Sequence, residues 1–180
     1  IEAPIPGKHA VGIEVPNLEV STVSLREVLE DPEVKAHTGK LVFALGKEIS
    51  GRSITGDLGR LLHILIAGAT GSGKSVCLNC ILASLLFRAK PNELKLLLID
   101  PKVVELSVYD GIPHLVAPVV TDPKKAAGCL RWAVKQMEDR YELLAAAGVR
   151  DIARYNALVT QWKEEGEGAG VEVEVKPARK

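Results

Sequence analysis

The chain has 180 residues, hydrophobic residues make up 47% of it, and its charges balance, with Lys+Arg 23 against Asp+Glu 23. That supports one sizeable buried core and excludes both a highly charged disordered chain and a composition that by itself announces a polyanionic partner. Its longest apolar runs, Leu61–Ala67 and Leu94–Ile99, fall far short of the ~20 residues that span a bilayer. Three cysteines, Cys77, Cys80 and Cys129, cannot all pair, as suits a reducing, cytoplasmic compartment. Because the chain starts at Ile1 and its one methionine is Met137, we expect it to be a piece of a longer protein.

The first twenty residues are rich in Pro and Gly and predict extended segments and turns. Ser24-Leu25-Arg26-Glu27 is a capping-box pattern opening a short helix towards Leu29, which Pro32 interrupts. Leu41–Leu45 predicts a strand, with turns at Gly46 and Gly51 before Ser53–Leu58. Leu61–Ala67 then predicts a buried strand, Lys74–Arg88 a helix, and Leu94–Ile99 and Leu115–Val120 two further strands of the parallel-sheet type.

Asp122 followed by Pro123 is a strong helix start. The helix carries Ala126, Leu130, Ala133, Met137, Tyr141 and Leu144 on one stripe, expected to enter the core, and Gly148 ends it. Another helix is expected over Ile152–Lys163. The tail 166–180 ends in an alternating VEVEV stretch, an edge strand or a flexible segment. This order of elements predicts an α/β, three-layer domain whose sheet is incomplete.

Gly68-Ala69-Thr70-Gly71-Ser72-Gly73-Lys74-Ser75 satisfies G-x-x-x-x-G-K-[ST] between an expected apolar strand and a helix. Glycines let the backbone curl so that successive N–H groups converge on phosphate oxygens, and the helix N-terminus adds its unpaired donors. Lys74 is expected on the β- and γ-phosphates of ATP and the Ser75 hydroxyl on Mg²⁺. Asp100, at the end of LKLLLID, is the one in-chain candidate for the carboxylate that holds Mg²⁺; a structural or coupling role is the other reading. Lys102 and Glu105 follow it at a sheet edge, for nucleotide or subunit coupling or for local ion pairing. Cys77 and Cys80 are expected to be packing residues, and His63 a satisfied core residue.

The segment IAGATGSGKSVCLN and the segment LLLIDPKVVELSVYDGIPHLVAPVVTD resemble the FtsK/SpoIIIE family. Shorter echoes are Pro6-Gly7-Lys8, Leu45-Gly46-Lys47, Met137-Glu138-Asp139-Arg140-Tyr141 and Tyr155-Asn156, so the resemblance covers roughly residues 5–160 in order. It implies a RecA-like P-loop NTPase domain (41–165) preceded by the end of a smaller α subdomain and connector (1–40), with 166–180 a tail. It also implies a homo-hexameric ring that pumps double-stranded DNA at the expense of ATP, in chromosome segregation and cell division. Full-length members usually anchor in the bacterial cell membrane with the motor in the cytoplasm. The family's Asp-Glu Walker B pair, expected beyond Tyr155-Asn156, does not occur here, so the fragment is expected to bind ATP without efficient hydrolysis. Two alternatives stay open: a non-catalytic nucleotide-binding assembly fragment, and a P-loop phosphotransferase, for which no small-molecule acceptor site is evident.

Overall fold

The computed structural model describes residues 3–164 except Lys8, Glu14, Val20 and Leu62; the expected tail lies outside the described residues. The chain divides into two compact units, Ile1–Leu94 and Lys95–Lys180.

In the first unit, Ser24 caps α1 (Leu25–Glu30) by accepting the Glu27 N–H at 3.2 Å. The chain does not stop at Pro32. Asp31 closes α1 and caps a second short helix, α2 (Pro32–Ala36), by accepting the Glu33 N–H at 2.9 Å, and Pro32 sits at its first position, where no N–H is needed.

Strands β1 (Val42–Lys47) and β2 (Ser53–Asp57) form an antiparallel hairpin, irregular between Ala44 and Gly46. Gly46 there has φ 147, a value that favours glycine. Phe43 pairs with Gly56, and a Cβ on Gly56 would lie 2.4 Å from the Phe43 ring, so the missing side chain is what leaves room for the ring tip.

The core gathers Phe43 with Ile81 and Leu85 of the long helix Lys74–Arg88, flanked by Leu41, Leu58, Ile66, Cys77 and Leu94. Cys77 is thus a packing residue. A single helical turn, α3 (Leu58–Leu61), precedes that long helix, which is therefore α4. Two polar anchors join in. Ser84, fully buried, accepts the Ala44 N–H at 3.1 Å and donates to the Cys80 carbonyl at 2.6 Å. Arg88 donates to the carbonyls of Gly39 (3.2 Å), Val34 (3.1 Å) and His37, closing the C-terminal end of α2.

The expected buried strand Leu61–Ala67 does not form. Asp57 accepts the Gly59 N–H, and α3 takes the start of the segment. Among the described residues no ladder partner meets residues 63–67, because the hairpin is paired with itself. Leu65 is 92% exposed, and His63 is exposed rather than a core residue; only Ile66 packs inward.

In the second unit the two expected strands pair in parallel through Leu96 with Leu115 and Ile99 with Val120. The register lengthens by two residues between these bridges, across a stretch containing Pro118, which has no N–H for a ladder. Helix α5 (Pro123–Ala146) starts as expected: Asp122 accepts the N–H groups of Lys124 (2.7 Å) and Lys125 (3.0 Å). Gly148, at φ 66, lies just past its end, and α6 runs over Ile152–Glu164. The α5 stripe is not core. Ala126, Ala133 and Leu144 are half-buried while Leu130, Met137 and Tyr141 are exposed. Two bridged strands offer too little sheet to cover a helix about 36 Å long. Among the described residues no helix is long and apolar enough to cross a membrane.

Candidate functional site

The phosphate-loop motif occupies the turn that enters α4. Gly71 (φ 80) and Gly73 (φ 89) hold left-handed conformations that a side chain would resist, and they bend the chain through the turn. Gly68 makes the close approach: a Cβ there would meet the Ser72 hydroxyl at 2.3 Å and the Ser72 Cβ at 3.1 Å. The turn is held internally by the Ser72 N–H donating to the Ala69 carbonyl at 3.2 Å.

Helix α4 opens at Gly73 with no side-chain cap, and its first backbone bond runs from the Cys77 N–H to the Gly73 carbonyl at 2.8 Å. An uncapped helix start presents donors and a positive dipole end to whatever lies before it. The Lys74 ammonium folds back over the turn, donating to the carbonyls of Gly68 and Ala69 at 2.8 Å each. It therefore stands on the same turn that leads into the uncapped start of α4. Ser75 is the second residue of the helix, half-buried; its carbonyl accepts from Asn79 Nδ2 at 2.8 Å. Ala69, Thr70 and Ser72 are exposed, so the loop is open to solvent. The turn thus holds two left-handed glycines, an uncapped helix start and one ammonium group within eight residues.

The second unit holds the other expected group. Asp100 is buried, at 5% exposure, and both carboxylate oxygens are filled. Oδ1 accepts the N–H groups of Lys102 and Val103 at 3.1 Å each; Oδ2 accepts those of Glu105 (2.9 Å) and Leu106 (3.0 Å). The Leu106 N–H, then that of Glu105, hold the carboxyl below the ordinary carboxylate range. Wrapping four amides around one side chain requires a sharp turn, and Val103 takes φ 63 to make it, an unusual value for a β-branched residue. Lys102 is exposed and Glu105 half-buried, and neither side chain forms an ion pair among the described residues.

Residues 24–174 match the model of the FtsK/SpoIIIE family. The chain belongs to the FtsK/SpoIIIE family. It is 57% identical over 165 residues to the DNA translocase FtsK of Caldanaerobacter subterraneus subsp. tengcongensis, covering 92% of this chain and 23% of that protein. It is also 57% identical over 169 residues to the DNA translocase SpoIIIE of Bacillus subtilis, covering 94% of this chain and 21% of that one. The chain thus spans about a fifth of the length of these relatives. Among solved structures, the monomeric pCW3 conjugation coupling protein TcpA with ATPγS is similar at a TM-score of 0.53 and 31% identity, over 74% of this chain and 34% of that one. The fold class is therefore the α/β P-loop class of that family.

Sequence reasoning missed Ser84 and Arg88. Ser84 could have been found as a lone hydroxyl on the apolar side of an amphipathic helix; Arg88, at a helix end, carries no local signal of its distant partners.

Proposed function

We propose that this chain is the ATP-binding part of an ATP-driven double-stranded DNA translocase that works in chromosome segregation and cell division. The observation that carries this reading is the Lys74 ammonium poised over Gly68 and Ala69 at the uncapped start of α4, in a chain of this family.

In this reading Gly68–Ser75 cradle the phosphates. The backbone N–H groups of the turn bind oxygens, Lys74 exchanges two carbonyls for the β- and γ-phosphates, and Ser75 offers its hydroxyl to Mg²⁺. Held there by Ser75, the ion would supply charge neutralisation on the phosphates. Lys74 supplies the fixed positive charge. Residues 1–40 are the end of a smaller α subdomain and 41–165 the first part of the RecA-like one. The complete protein forms a homo-hexamer around DNA, its motor in the cytoplasm and its anchor in the membrane.

Asp100 is assigned a loop-organising role that sets the positions of Lys102 and Glu105 for coupling. A carboxylate already accepting four amides has little left for a metal. That same observation favours a second reading, nucleotide binding without turnover that shapes a subunit contact, because the buried Asp100 carboxylate is committed to backbone amides.

ATP turnover with and without double-stranded DNA, beside a Lys74→Ala control, tests the proposal. DNA-stimulated turnover lost in the control supports the motor. Mg-ATP binding without turnover supports the second reading. Lys74-dependent turnover indifferent to DNA points to a phosphotransferase and sinks both.

A further inference from the structure

A groove of about 520 Å³ lies at the far end of α4, roughly 22 Å along the helix from the phosphate loop. Leu25 and Leu29 of α1 form its apolar floor, and Phe87 of α4 lines it beside them. Phe87 is 81% exposed, an aromatic ring left in water beside an apolar floor. The lining carries four cations, Arg26, Lys35, Lys40 and Arg88, against one carboxylate, Glu30.

These cations differ in what they can do. Arg88 is spent on backbone carbonyls. Lys40 pairs with Glu93 at 3.0 Å, and Arg26 meets Glu30 only at 4.0 Å with both side chains mostly in solvent. Lys35, in the last turn of α2, has no ion-pair partner among the described residues. A chain with zero net charge thus concentrates a positive rim around an apolar floor. Such a rim selects an acidic segment carrying apolar anchors, whereas bare nucleic acid backbone would leave the floor unfilled.

The same sequence holds a segment of that chemistry. From Glu164 to Val175 it carries Glu164, Glu165, Glu167, Glu172 and Glu174 with no basic residue, interleaved later with Val171, Val173 and Val175. We propose that this groove is a docking site for the Glu164–Val175 segment of a second copy of the chain, which makes the contact a self-association interface independent of the nucleotide reading. Apolar anchors fill the floor between Leu29 and Phe87, and the carboxylates meet Lys35 and Arg26.

The test is sedimentation of the full chain over a concentration series at about 0.05 M and about 1 M salt, which shortens the screening length several-fold. We expect concentration-dependent association that weakens with salt. Lys35→Glu or Phe87→Ser should weaken it by about tenfold, the effect of losing a few exposed ion pairs or one anchor. Both positions are exposed, and unchanged thermal melting excludes misfolding as the cause. Reversing Glu164, Glu165 and Glu167 to lysine should abolish association, and mixing that variant with Lys35→Glu should restore it. A monomer at every concentration overturns the proposal. So does association that survives Lys35→Glu, or that depends on the rim and ignores the acidic segment, an outcome that assigns the groove to another acidic partner.

Discussion

The Ser84 hydroxyl, with no exposed surface, accepts the Ala44 N–H of β1 at 3.1 Å while donating to the Cys80 carbonyl one turn earlier in α4. One side chain therefore joins the helix that leaves the phosphate loop to the hairpin that covers it. Ser84→Ala removes the acceptor and leaves a buried N–H unmet, at a cost of about 1–3 kcal/mol. Differential scanning calorimetry should show a lower Tm for this variant, with nucleotide binding by the folded protein unchanged. An unaltered Tm would mean that the Ala44 N–H finds water instead.

The contact between Phe43 and Gly56 is as demanding. A methyl group on Gly56 would stand 2.4 Å from the ring tip of Phe43, itself 1% exposed and held between the hairpin and α4. Gly56→Ala should destabilise the fold by about 1–3 kcal/mol through overpacking. The paired change Gly56→Ala with Phe43→Leu should recover part of the loss, read as a double-mutant cycle in urea. Additive losses would show that the two residues do not press on each other.

Arg88 ties the far end of α4 to the carbonyls of Val34, His37 and Gly39. Lysine cannot reproduce a planar fork with several fixed donors. Amide exchange should therefore accelerate across residues 32–40 in both Arg88→Lys and Arg88→Ala, while the centre of α4 keeps its protection. Equal protection in the wild-type chain and both variants would show that the clamp does not hold α2 in solution.

Much of this was legible in the sequence wherever the signal was local. Ser24, Asp122 with Pro123, and Gly148 each mark a helix boundary through their own side chain or φ, and the structure uses all of them. The phosphate loop was legible for the same reason: its glycines and Lys74 act within eight residues. Features that could not be read depend on distant partners. An apolar run such as Leu61–Ala67 becomes a buried strand only if neighbours pair with it, and the apolar stripe of α5 becomes core only if a sheet wide enough lies beneath it. The amides that fill Asp100 come from a loop whose turn at Val103 no propensity scale favours.

Asp100 also sets a pH dependence. Its folded-state carboxyl is held below the ordinary range, near 3.9, by the Leu106 and Glu105 N–H groups. A depressed carboxyl contributes stability that is complete above the unfolded value and is lost as pH falls through the folded one. Asp122, lowered by the Lys125 and Lys124 N–H groups, has the same sign. Stability should thus be level near neutrality and fall below about pH 4. Asp100→Asn should be less stable than wild type at pH 7 and show a shallower decline in acid, followed by circular dichroism. A parallel decline in both proteins would remove Asp100 from the acid response.

Titration calorimetry of Mg-ATP into the chain and into Lys74→Ala tests the phosphate cradle most directly. The geometry at Gly68, Ala69 and the start of α4 predicts saturable binding by the wild-type chain. In the variant, affinity should fall by at least about tenfold, the loss of a charge-assisted contact to phosphate. Binding of equal strength in the two proteins, or none in the wild type, would contradict the assignment of Gly68–Ser75 as the ATP site.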